Sequence, residues 1–137
     1  MAATIRRVEY FYAVVEDRPG EAHRLLAGMA AAGVNLLAFN AIPLGMQKSQ
    51  LVLFPEDVEV LARVAEQQAI ALEGPHHALL VQGDDRLGAL VDIHARLAEA
   101  QINVLCATGV SNGRGGFGYV LYVRHEDIDR AANAVGI

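Results

Sequence analysis

Glu16 to Leu26 reads EDRPGEAHRLL and Asp84 to His94 reads DDRLGALVDIH. Each stretch leaves an apolar segment, turns at Asp-Arg-x-Gly and enters a pattern with helical spacing. Sliding the sequence by 68 positions superimposes the two corners. Over the 21 positions from Asp17 to Leu37 eight pairs are then identical: Asp17/Asp85, Arg18/Arg86, Gly20/Gly88, Ala27/Ala95, Ala30/Ala98, Ala32/Ala100, Asn35/Asn103 and Leu37/Leu105. Self-similarity at a fixed period marks a repeat architecture. Further on the offset becomes 70, with Glu56 and Asp57 falling on Glu126 and Asp127. The second copy therefore carries two extra residues, which the glycine-rich stretch Asn112 to Gly118 is expected to hold.

Each copy reads strand, helix, strand, strand, helix. Val8 to Val15 is β-branched and aromatic, as a pleated, buried strand requires. Pro19 presets a helical φ, and Ala22, Leu25, Leu26, Met29 and Ala30 then form one stripe that Gly33 ends. Strands over 34–42 and 50–54 and a helix over 55–68 follow, with a short fourth strand expected at Ile70 to Glu73. The second copy predicts strands near 78–82, 102–110 and 118–124 and helices near 86–100 and 126–135. This order is the ferredoxin-like βαββαβ arrangement, an α+β fold with helices on one face of an antiparallel sheet. The expected repeats are residues 1–74 and 75–137. The second lacks its last strand, which leaves the edge of Ala78 to Gln82 to be covered by Ile70 to Glu73 or by a second subunit.

Composition narrows the function. The 137 residues are 53% hydrophobic and 20% charged, with a net charge of -5. That is a globular chain with too little clustered positive charge for nucleic acid. Cys106 is the only cysteine, which excludes an intrachain disulfide and fits a cytoplasmic setting, with the thiol read as packing. No apolar run is long enough for a membrane span. The histidines show no metal-ligand spacing, so neither metal nor cofactor is expected. His94 replaces Leu26 on the helix stripe and reads as a hydrogen-bonded residue at a core margin.

The pattern DRPG, an amphipathic helix, then GVN at the next strand resembles the ACT domain, a regulatory amino-acid-binding module named after aspartate kinase, chorismate mutase and prephenate dehydrogenase. DRPGEAHRLLAGMAAAGVNL at Asp17 to Leu36 carries the resemblance, and DRLGALVDIHARLAEAQINV at Asp85 to Val104 repeats it with Leu87 for the proline and Gln101 for the glycine. The resemblance implies a ligand at the loop before the first helix and at the start of the second strand, where modules meet. That points to Asp17, Arg18, Pro19, Gly20 and Asn35, and to Asp85, Arg86, Leu87, Gly88 and Asn103. It also implies a homodimer or higher homo-oligomer.

Elementary chemistry supports the same corners. A helix start offers unpaired N–H groups and partial positive charge, and a glycine admits close approach to the backbone. Asp17 and Asp85 could face an ammonium group, and the two asparagines offer donors and acceptors. The plainer reading is that the aspartates cap their helices and the glycines make the turns. The expected function is a non-catalytic regulatory protein that binds a small molecule, an amino acid in first place. The alternatives are a small enzyme on a ferredoxin-like scaffold, with His94 or Cys106 to test, and a ligand-free interaction module. Were only one corner used, the first would be expected, because it keeps Pro19 and Gly33.

Overall fold

The computed structural model describes residues 3–137. In chain order they form β1 (Thr4–Glu16), α1 (Glu21–Ala31), β2 (Leu36–Gly45), β3 (Lys48–Pro55), α2 (Val58–Gln67), β4 (Glu73–Asp84), α3 (Val91–Glu99), β5 (Cys106–Ser111), β6 (Gly116–Tyr122), a 3-10 turn at His125–Asp127, and α4 (Ile128–Ala134). The class is α+β and each copy has the predicted element order. Two compact units divide the described residues, one of Glu9–His76 and one of residues 3–8 with His77–Ile137. The junction at His76/His77 lies beside the expected division at 74/75, and Thr4 to Val8 go with the later unit.

In the unit of residues 9–76 the strand neighbours run β2, β3, β1, β4. β1 lies antiparallel to β3 from Phe11↔Leu53 to Glu16↔Lys48, and β2 flanks β3 on its other side. Met29 and Val34 from the α1 segment and Leu61 and Val64 from α2 pack on Phe11 and Leu53. The stripe and the alternation in the sequence meet in this core.

In the other unit the neighbours run β1, β4, β6, β5. Leu79 and Val81 of β4 and Tyr119 and Leu121 of β6 face Ile93, Leu97, Ile128, Ala131 and Val135. The start of β1 fills the place of the missing last strand. The Thr4 hydroxyl donates to the Gln82 carbonyl at 3.2 Å, Ala3 and Ile5 pack against this core, and Arg7 pairs with Asp129 at 2.6 Å. The edge expected to need Ile70 to Glu73 or a second subunit is therefore covered by Thr4 to Val8. β1 has 13 residues, more than twice the usual strand, so one end serves each unit.

β4 supplies the reciprocal half. Ile70 to Leu72 is not a strand. The strand begins at Glu73 and runs through to Asp84, and its first four residues complete the unit of residues 9–76. Gly74 lies so close to β1 that a Cβ there would sit 2.7 Å from the Phe11 ring and 2.9 Å from the Tyr10 carbonyl.

Hairpin register relocates the two extra residues. Pro43 pairs with Ser49 and Ser111 with Phe117, so both hairpins enclose five residues and the glycine-rich stretch adds no length. The insertion is Arg124 and His125, between β6 and α4, where it builds the 3-10 turn. Its consequence is local. Asp57 caps α2, its Oδ1 accepting from the amides of Glu59 at 3.0 Å and Val60 at 3.3 Å. Its counterpart Asp127 caps nothing; buried at 3% exposure, it accepts from Arg124 Nε at 3.1 Å and Arg130 Nη1 at 2.8 Å.

Candidate functional site

The two Asp-Arg-x-Gly corners have the same backbone. The Asp17 amide donates to the Gln47 carbonyl and the Asp85 amide to the Gly115 carbonyl, each at 2.8 Å. Gln47 and Gly115 are equivalent turn residues of the two hairpins. The arginine carbonyl then accepts from the amide three residues on, Glu21 at 3.4 Å and Ala89 at 3.1 Å. Between them Gly20 (φ 91°) and Gly88 (φ 74°) take the left-handed conformation that glycine adopts without strain. Neither aspartate caps its helix: α1 starts after Gly20 and α3 after Leu90, both without a side-chain cap. The helix expected from Arg86 starts at Val91 instead, because the left-handed Gly88 interrupts it and a second turn, Val91 amide to Gly88 carbonyl at 3.1 Å, intervenes.

Each corner borders a depression walled by its own hairpin. At the second corner Asp85, Arg86, Gly88 and Leu90 face Val110, Phe117 and Tyr119 around about 430 Å³. At the first, Asp17, Arg18, Glu21 and Ala22 face Ala41, Ser49 and Leu51 around about 160 Å³. These are the same place in each copy, for all seven of those first-corner residues have their repeat equivalents on the second lining. Small-molecule sites commonly span about 300–1,000 Å³, a range only the second corner reaches.

Substitutions in the wall explain the difference. Glu21 forms an ion pair with Arg18 at 3.6 Å and another with Arg24. Its counterpart is Ala89, and among the described residues Arg86 has no ion-pair partner. Leu26, Ala41 and Leu51 become His94, Gly109 and Tyr119. His94 Nε2 and Tyr119 Oη share a hydrogen bond at 2.7 Å, and a Cβ on Gly109 would lie 2.7 Å from the Tyr119 ring. Burial, and then the nearby Cys106, push the Tyr119 hydroxyl above its ordinary pKa.

The asparagines stand apart from the corners of their own units. α1 has 11 residues, about 16 Å of helix between Gly20 and the approach to Asn35. Asn35 Nδ2 donates to Glu56 Oε2 at 2.9 Å, and Asn103 is exposed at the equivalent position. Neither lines the depression at its own corner. Pro19 and Gly20 shape the first turn and Leu87 projects fully into solvent from the second. Sequence reasoning missed Gly109, Val110, Phe117 and Tyr119, although the repeat offset that aligned the corners also aligns these walls.

The remaining candidates resolve simply. Cys106 is exposed, not packed, because it opens the outer strand β5. The glycine-rich stretch is a tied hairpin turn, with Asn112 Oδ1 accepting from the amides of Arg114 at 2.7 Å and Gly116 at 3.1 Å. Among the described residues no group of three or more His, Cys, Asp or Glu could hold a metal ion, and no helix is long and apolar enough to cross a membrane.

No protein-family model matches the chain, and no curated protein matches it. Solved structures do. A Bacteroides thetaiotaomicron protein superposes with a TM-score of 0.78 at 13% identity, over 97% of this chain and 88% of that one. The ligand-free regulatory subunit of aspartate kinase from Thermus thermophilus superposes with a TM-score of 0.65 at 13% identity, over 98% and 95%. The Thermus flavus subunit gives 0.60 at 13%, over 98% and 95%. At such identities the likeness establishes the fold: two ACT-type ferredoxin-like units in tandem, the second closed by the start of β1.

Proposed function

We propose that this chain is a non-catalytic regulatory module that binds a small-molecule effector, an amino acid, at its Asp-Arg-x-Gly corners and reports it through association with itself or another protein. The observation that carries the reading is the duplicated corner: one backbone geometry, built twice, each time beside a depression walled by the adjoining hairpin. Guanidinium and carboxylate groups from neighbouring residues offer partners to both ends of a zwitterion. The fold likeness to a regulatory subunit of aspartate kinase supports the regulatory part. The single cysteine and the net charge of -5 support a cytoplasmic setting without nucleic acid.

The test is a thermal-shift screen of the full chain against the twenty amino acids, followed by sedimentation of any hit. Binding to the folded state alone adds about 2.7 kcal/mol at a ligand concentration 100-fold above Kd, so a true effector raises the midpoint by several degrees. It must also favour one assembly state to shift association. No shift with any of the twenty sinks the reading.

A further inference from the structure

We infer that the two corners are unequal: only the second is an open site, and its ligand is an α-amino acid with an apolar side chain. This rests on the proposed function and assigns it to one copy. At the first corner Glu21 already lies against Arg18, so the chain's own carboxylate occupies the position an effector carboxylate would take, and the depression is small. At the second corner Ala89 removes that carboxylate. The guanidinium of Arg86 then has no ion-pair partner among the described residues, and the space is more than twice as large. A planar guanidinium binds a carboxylate through two parallel hydrogen bonds, and Asp85 on the same rim can pair with the ammonium group.

The walls select the side chain. Leu90, Val91, Val110 and Phe117 are apolar, and the hydroxyl of Tyr119 is turned to His94. Away from the Asp85–Arg86 rim the one polar side chain not turned aside is Ser111, whose Oγ accepts from the Gly113 amide at 3.2 Å, so a charged side chain placed there would lose hydration with little in return, whereas an aliphatic or aromatic one would bury apolar surface. The larger of these walls are gains of the second copy, Leu90 standing for Ala22 and Phe117 for Ser49.

Calorimetry of the full chain with L-leucine and L-phenylalanine, against L-aspartate and L-lysine, tests the inference. The expected result is one equivalent of L-leucine or L-phenylalanine per chain and no heat from the charged pair. Arg86→Ala should weaken binding at least about tenfold. Ala89→Glu, which transplants the first copy's carboxylate, should abolish it while the unfolding midpoint stays near that of the parent. Amide shifts in an NMR titration should fall on Ala89 and Leu90 and spare Glu21 and Ala22. Two equivalents per chain, shifts at Glu21 and Ala22, or full affinity in Ala89→Glu would overturn the inference while leaving the effector-binding reading intact. A preference for aspartate or lysine would overturn the apolar selection alone. Silence from all twenty amino acids would remove both.

Discussion

At the residue scale the second copy shows how one wall is rebuilt by linked substitutions. Tyr119 fits only because Gly109 has no side chain, and its hydroxyl is satisfied because His94 replaces a leucine. Gly109→Ala forces the ring aside in a packed core and should cost about 1–3 kcal/mol in urea unfolding; a change within about 0.3 kcal/mol would show that the ring yields freely. Burial also gives Tyr119 a pH signature. Its folded pKa is raised, so the neutral phenol is favoured in the native state. The associated stability is complete below the unfolded value of about 10 and is lost as pH rises through the folded value. Tyr10 is raised by burial in the same sense. Tyr119→Phe should therefore flatten the alkaline limb of a stability profile, and an unchanged limb would refute the assignment. The wall residues were hard to read in the sequence because each looks like an ordinary strand residue until the hairpin register places it beside the corner.

At the element scale the helices α1 to α4 end alike. A residue of positive φ follows the last turn, and the amide after it reaches back: Val34 to Met29, Ile70 to Ala65 and Ile102 to Leu97 at 2.9 Å, and Ile137 to Ala132 at 3.0 Å. Gly33 and Gly136 suit that conformation, whereas Ala69 (φ 55°) and Gln101 (φ 57°) bear a Cβ in it. Ala69→Gly and Gln101→Gly should each stabilise the fold by about 0.5–1 kcal/mol, seen as a rise in the thermal midpoint. A fall would show that other contacts of these side chains dominate. The helix C-termini were legible at Gly33, while at Gln101 only the repeat alignment marks the stop. The start of α3 was not legible, since Arg86 to Leu90 has helical composition but a left-handed glycine at its centre.

At the scale of the whole molecule the two repeats each complete the other's sheet. Thr4 to Val8 serve the second unit and Glu73 to His76 the first. Deleting residues 1–8 should therefore expose the edge of β4 at Leu79 to Asp84, destabilise the unit of residues 77–137 and raise amide exchange along that edge. Undiminished protection there would mean the strand is dispensable. For the same reason a chain cut between residues 74 and 75 yields a second fragment without its edge strand, and that fragment should be the less stable of the two.

The sequence by itself determined the repeat, the helical stripes, the strand alternation and the two corners, because periodicity and turn chemistry are local properties of neighbouring residues. Tertiary structure alone decided three things. It gave the empty edge to the start of β1, it placed the insertion at Arg124 and His125, and it brought Tyr119 and Phe117 to Arg86. Each depends on strand pairing between residues far apart in the chain, and no local pattern encodes which partner a strand edge will take.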